Sequence, residues 1–201
     1  GEEVRGISMD IRAGEIFGLA GLAGHGKVGI ANGVLGLHPA RGRVSFDGED
    51  LPLGDTAAAL ARGIAFLSED RRGVGLMLDE SVERNIAATA VQVRNRFLRP
   101  GPLGSLRLLD GRAIRAHAER MIRDLDIRCR GPQEPVLRLS GGNQQKVCIA
   151  RAMALSPRLL FVSEPTRGID VGAKRLVLDR LLEMNRTDGV TIVLTSSELA
   201  E

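Results

Sequence analysis

Aromatic side chains are nearly missing from this sequence, which has five phenylalanines, no tryptophan and no tyrosine, 2% of 201 residues. Single-stranded nucleic acid is held on exposed rings that stack on bases, so that class of function loses its usual platform. Cysteine is almost as scarce. Cys129 and Cys148 cannot form the framework of a small secreted domain, and inert reduced thiols in a cytosolic protein are the expectation. No apolar run approaches the roughly 20 residues of a membrane helix, so any link to a membrane is expected to run through a partner. A surplus of one charge is also lacking. The formal net charge is +3, from 28 basic and 25 acidic residues, with no concentrated basic block. Nucleic acid is therefore not indicated as a partner. The Arg-rich "RNRFLRP" reads as solvent-facing or docking surface. His38 and His117 have no Cys or carboxylate partners at metal-ligand spacing, and no zinc site is read.

What is present is the material of a globular, soluble α/β domain, with 43% hydrophobic and 26% charged residues. The length suits one such domain with a small subdomain attached. "GEIFGLAG" is a short apolar run ending in glycines, and "KVGIANGVLGL" reads as a helix. "GRVSFDGEDL" predicts a strand and a turn at Asp47-Gly48, and "TAAALARG" a short helix before the strand "IAFLS". From Ser81 to about Leu125 the pattern turns helical and Arg-rich, interrupted by "RPGPLGS". A helix from Arg112 to Leu125 carries Ile114, Ala118, Met121, Ile122 and Leu125 at helical spacing. The α/β pattern then resumes with "NQQKVCIARAMAL" as a helix and "RLLFVS" as a buried strand. An amphipathic helix "AKRLVLDRLLEMN", with Leu176, Leu178, Leu181 and Leu182 among its apolar positions, precedes the strand "VTIVLTS". Strands alternating with helices predict a largely parallel sheet covered on both faces, with ligands at the carboxyl ends of its strands.

Two glycine-bearing stretches carry the chemistry. "GLAGHGKVG" comprises Gly21, Leu22, Ala23, Gly24, His25, Gly26, Lys27, Val28 and Gly29, and sits between a strand and a helix. Successive backbone N–H groups there can wrap a polyphosphate, the helix aims its positive end at it, and Lys27 reaches the β- and γ-phosphates. A tight glycine-rich turn is the plain alternative, and the flanking strand and helix favour the phosphate loop. His25 reads as a tolerated variable position. "LSGGNQQK" places Ser140, Gly141 and Gly142 before a helix, a second place where a hydroxyl and bare amides meet a helix N-terminus.

"LSGGNQQK" resembles the signature of the ATP-binding cassette family. Together with "EPTRGIDVGAK" and "SEDRRGVGL" it is similar to a narrower group, the ATPase subunits of bacterial importers for ribose-type simple sugars and, more distantly, nucleosides. In that group two cassettes are fused in one chain, and this sequence resembles the second. Both ends of the sequence look cut from something longer. The resemblance implies a P-loop NTPase fold, a mainly parallel sheet with helices on both faces plus a helical subdomain. Residues 1–201 would be one cassette of a two-cassette chain, with a helical insertion at about 81–125.

The resemblance further implies ATP held between two cassettes that close face to face. Gly21 to Gly29 would hold this cassette's phosphates, with Glu69 where most cassettes have a γ-phosphate-sensing glutamine. Leu139, Ser140, Gly141, Gly142, Asn143 and Gln144 would serve the nucleotide of the other cassette. Glu164 aligns with the general base. Gly168 and Asp170 match the loop that communicates across the dimer, and Ser197 stands where most cassettes have a histidine. The implied partners are the first cassette, membrane permease subunits and, indirectly, a substrate-binding protein, with the chain peripheral on the cytoplasmic face of the bacterial inner membrane.

Two positions depart from the pattern in the same sense. P-loop ATPases hold magnesium with a Ser/Thr after the lysine and an Asp at the end of a second strand, and here these are Val28 and Ser163. Two readings stay open. In one, water and phosphate oxygens still hold the metal, with Glu69 or Asp70 helping. In the other, this site binds nucleotide at a weakened or absent metal site and turns it over poorly, while its signature loop completes the partner's site. A non-hydrolytic regulatory cassette, a nucleoside importer and a cassette acting on ribosomes or DNA are the competing functions. The last usually needs long basic or coiled-coil insertions, which the helical stretch here does not resemble.

Overall fold

Strands and helices alternate along the chain where β-branched runs and helical-period runs alternate in the sequence. The computed structural model describes residues 4–21, 26–101 and 106–197. They divide into two units, one built from the described residues up to 69 with 157–167 and 174–197, and the other from those between 70 and 156 with 168–173.

The first unit holds β1 (Ile16–Ala20), α1 (Lys27–Val34), β2 (Ser45–Phe46), β3 (Glu49–Asp50), α2 (Thr56–Ala61) and β4 (Ile64–Leu67). Later come β7 (Leu159–Ser163), most of α6 (Val171–Asp188) and β8 (Thr191–Ser196). Four strands form one parallel sheet in the order β1-β8-β7-β4, as strands alternating with helices predict. Ala31, Leu35, Leu51, Ala59, Ile64, Phe161 and Val193 form a core cluster of this unit. At roughly 1.5–3 kcal/mol for each large side chain buried, such clusters supply the main drive to fold. β2 and β3 pair antiparallel across Asp47 and Gly48, both at positive φ (55° and 78°), a turn that favours Asp-Gly.

α6 refines the sequence reading. Its buried positions are Ala173, Val177, Leu181 and Met184, whereas Leu176 and Leu178 are half-buried and Leu182 is 37% exposed.

The second unit is mainly helical, with α3 (Val82–Arg94), α4 (Gly111–Asp124) and α5 (Gly141–Ala154). α3 packs on both of the others, burying Val82, Ile86, Ala87 and Ala90. Each helix starts at a side-chain cap, Ser81, Asp110 or Ser140, whose oxygen accepts an N–H three residues on. Asn85 is fully buried and ties the preceding turn. Its Oδ1 accepts from Met77 N–H at 2.9 Å, and its Nδ2 donates to Met77 O at 2.9 Å and Ser81 O at 3.0 Å.

The interruption inside the helical stretch is more than a loop. β5 (Leu98–Pro100) and β6 (Arg107–Leu109) form an antiparallel pair. Asn95 and Phe97, at φ 52° and 59°, end α3 and turn the chain into the pair. Strands of three residues with Pro and Arg in them carry no period-2 signal, so the sequence does not announce them.

Candidate nucleotide site

Three parallel strands end side by side. Ala20 is in register with Ser196, and Ser163 with Thr195, so the residues that follow each strand, Gly21, Ser197 and Glu164, emerge at one sheet edge. That is where parallel sheets place ligands. Lys27, the first residue of α1, turns back into this edge. Its Nζ donates to Ser196 O at 2.9 Å and to Gly21 O, and lies 3.4 Å from Glu164 Oε1. The aliphatic stem of Lys27 packs over Gly21, where a Cβ would sit 3.5 Å from Lys27 Cδ.

The start of α1 suits an anion. Gly26 occupies the cap position at φ 81°, a left-handed conformation that favours glycine, and no side chain caps the helix. Gly29 N–H donates to Gly26 O at 2.8 Å within the first turn, and the helix dipole favours negative charge at that end. Leu22, Ala23, Gly24 and His25 lie outside the described residues, while Val28 and Gly29 form the first turn of α1.

Glu164 is held on both oxygens. Ser197 Oγ donates to its Oε2 at 2.9 Å, and Lys27 faces its Oε1. Its backbone has φ 45°, a conformation that costs energy for a residue with a side chain. Its N–H donates to Thr195 O at 2.8 Å, which fixes the turn after β7. Burial opposes ionisation most strongly, but the N–H and hydroxyl of Ser197 and the Lys27 ammonium together outweigh it. The carboxyl is held below its ordinary value of 4.5. Glu164 is thus a buried, ionised carboxylate that can accept a proton, at the cost of low basicity.

The metal positions read differently. Val28 offers no oxygen. Ser163 is 1% exposed, and among the described residues its Oγ has no hydrogen-bond partner, as is also true of Thr166 Oγ1. The residues present fit a triphosphate, through Lys27 and the bare start of α1. They do not fit the usual protein ligand pair for magnesium, since one neutral hydroxyl replaces a hydroxyl and a carboxylate. No His, Cys, Asp and Glu cluster among the described residues supplies an alternative.

Glu69 does not join the Lys27 group. It pairs with Arg167 at 3.3 Å, a residue the sequence reading did not single out.

In the second unit the signature residues gather at the start of α5. Ser140 caps the helix, with its Oγ accepting from Asn143 Nδ2 at 3.0 Å, and Asn143 Oδ1 accepts from Arg128 N–H at 2.9 Å. A Cβ on Gly142 would sit 3.5 Å from Asp170 Oδ2, and one on Gly141 would sit 3.6 Å from Gly168 O. Asp170 Oδ1 accepts from Ala173 N–H at 3.0 Å, and that bond leads the causes that hold its carboxyl below the ordinary range. Leu139 is buried. Gln144, grouped with the nucleotide-facing residues in the sequence reading, turns inward instead. It is 1% exposed, and its Nε2 donates to Val136 O at 3.2 Å and Leu139 O at 3.3 Å. Its side chain braces the loop before the helix.

A lysine opening the helix after a parallel strand, a carboxylate facing it and, in the other unit, a Ser-Gly-Gly helix start are the features of a P-loop cassette of the ABC type. A family model described as ABC transporter matches residues 4–167. The chain belongs to the ABC transporter family, and ATP binding and hydrolysis fit that family. It is 43% identical to a ribose import ATP-binding protein of Rhizobium meliloti (strain 1021), over all of this chain and 38% of that protein. It is 39% identical, with the same coverage, to a putative ribose/galactose/methyl galactoside import ATP-binding protein of Agrobacterium fabrum (strain C58 / ATCC 33970). The chain thus spans well under half the length of these relatives. Among solved structures, a dimeric ATP-binding cassette in a post-hydrolysis state with ADP and phosphate superposes with a TM-score of 0.81. It is 24% identical, covers all of this chain and is itself covered to 84%, which shows the fold. That fold is the one the sequence predicts, an ABC cassette with a parallel sheet and helices on both sides. No helix among the described residues is long and apolar enough to cross a membrane.

Proposed function

We propose that this chain is the second of two fused cassettes in the ATPase of a bacterial sugar importer, and that its two nucleotide-facing parts are unequal. Its own phosphate site binds ATP through Lys27 and the start of α1 but turns it over poorly. Its signature helix, Ser140 onward, completes the working site on the first cassette. Glu164 belongs to the own site, Glu69 stands outside its Lys27 group on Arg167, and Gly168 and Asp170 belong to the cross-dimer loop.

The carrying observation is the pair Val28 and buried Ser163, whose Oγ has no partner among the described residues, beside a complete Lys27–Glu164–Ser197 group. Loss of both protein oxygens leaves phosphate recognition in place and removes the means of fixing a metal, which carries much of phosphoryl transfer. When bound, magnesium would neutralise charge on the transferred phosphate. At this site Lys27 would neutralise it and the Glu164 carboxylate would accept the proton of the attacking water. The low basicity of Glu164 points the same way.

The names of the relatives support a sugar, ribose-type, over a nucleoside as cargo. The reading places the chain on the cytoplasmic face of the inner membrane, against permease subunits that receive sugar from a substrate-binding protein. A purely regulatory, non-hydrolytic cassette is the second reading, favoured by the same two positions. Ser140→Arg in the full two-cassette protein with its membrane subunits tests the assignment. Blocking the signature loop is expected to lower kcat for ATP by about a hundredfold or more, because positioning of the nucleotide supplies most of the catalysis. Wild-type turnover in that variant contradicts it.

A further inference from the structure

The turn that follows β4 is lashed along α5 at two points. Asp70 builds the turn. Its Oδ1 accepts from Gly73 N–H at 2.8 Å, and its carbonyl accepts from Val74 N–H at 3.2 Å and Gly75 N–H at 2.9 Å. Farther along the helix, Arg151 Nη1 donates to Gly75 O at 2.9 Å, while its Nε donates to Thr89 Oγ1 at 2.7 Å. A Cβ on Gly75 would sit 3.4 Å from Cys148 Sγ, so the turn lies directly on the helix there. This anchor belongs to the packing of the unit.

The other anchor lies at the functional end of α5. Arg71 Nη1 donates to Gly141 O at 2.8 Å. A Cβ on Gly141 would lie 3.7 Å from Nη1 and 3.9 Å from Nη2, and one on Gly168 would lie 3.5 Å from Nη2. The half-buried guanidinium therefore rests against two glycines at once, the first residue of α5 and the start of the 168–170 loop. Only a planar, forked head group spans both while keeping a directed hydrogen bond. The structure turns Arg71 toward the signature helix.

We propose that Arg71 is a positioning residue for the signature loop. Its guanidinium registers Gly141 and Gly168 to one another, so that the hydroxyl of Ser140 and the first amides of α5 keep one orientation. This rests on the reading that the signature loop serves a nucleotide, and the test separates the two.

In the full two-cassette protein with its membrane subunits, Arg71→Ala is expected to speed amide exchange about tenfold at residues 141–145 and 168–170, leaving the amides of α3 and α4 unchanged. Its kcat for ATP should fall about tenfold with KM within about twofold, since misplacement of a bound group costs turnover rather than ground-state binding. Arg71→Lys retains the charge but not the fork, and should recover the exchange at 141–145 more than that at 168–170. Unchanged exchange at both segments overturns the proposal, as does a uniform rise across the unit with a matching loss of thermal stability, in either variant. If Ser140→Arg abolishes turnover while Arg71→Ala keeps it, the signature reading stands and the role of Arg71 falls. If Ser140→Arg keeps turnover, the signature reading falls, and the exchange pattern alone decides whether Arg71 positions the loop.

Discussion

The edge around Lys27 and the start of α5 use the same means, a glycine backbone at a helix N-terminus with a polar side chain beside it. They differ in what has been kept. At the Lys27 edge the cation and the carboxylate are present and bonded to each other, while the two positions that would bring oxygens to a metal are Val28 and Ser163. At α5 the hydroxyl and both glycines of the signature are in place, and the residues around them, Asn143, Gln144 and Asp170, each hold a neighbour in position. Binding phosphate and activating it are separable demands on such a site. Binding needs N–H groups and one cation, whereas activation also needs charge fixed where it develops in the transition state.

The comparison breaks most directly at Lys27. Under the proposed function, removing its ammonium takes away one charged contact to phosphate, and Glu164 loses the ion pair it makes with Lys27. Lys27→Ala should weaken nucleotide binding at this site by roughly 10- to 100-fold, the value of a hydrogen bond to a charged group. Equilibrium binding of a fluorescent ATP analogue checks this, and unchanged affinity would remove Lys27 from the site.

It sharpens through repair. Val28→Thr with Ser163→Asp restores a hydroxyl and a carboxylate where the metal oxygens are missing. The double variant should make nucleotide binding respond to magnesium by about tenfold, and each single variant by less. Single-turnover hydrolysis in the same variant separates the two readings of the own site. A gain in turnover marks a site short only of its metal, and none marks a regulatory one.

A smaller effect lies in the helical unit. His117 is buried beside Phe97, with ring centroids 5.1 Å apart, and Arg120 Nη2 is 3.4 Å from its Nδ1. Burial first, then Arg96 and Arg120, hold its pKa below the ordinary 6.5. As pH falls through 6.5 the unfolded chain takes up a proton before the folded one. Stability is therefore complete above that value and drains away toward the folded pKa. The slope from this one group is at most about 1.4 kcal/mol per pH unit. Urea unfolding at pH 8 and pH 5.5 measures it, and His117→Gln should flatten that part of the profile.

Much of this was readable from the chain itself. The order of strand, glycine loop and helix placed Lys27, and the register of parallel strands brought Glu164 and Ser197 to it. Ser140 announced itself as a helix cap. What sequence could not reveal were bonds between distant segments, such as Arg71 with Gly141, 70 residues apart, and Glu69 with Arg167, 98 apart. No local period encodes such pairs. The inward turn of Gln144 was hidden for a related reason, because the signature pattern names residue types and not which side chains the loop spends on itself. The β5–β6 pair was too short and too charged to register as strand.

The central claim is that this site holds nucleotide without a protein-held metal, and the magnesium dependence of binding tests it most directly. In the two-cassette protein, with the phosphate-loop lysine of the first cassette replaced, a fluorescent ATP analogue is titrated in magnesium and again in chelator. The two affinities are expected to agree within about twofold, since neither Val28 nor Ser163 would fix the ion. A tightening of tenfold or more with magnesium would contradict it.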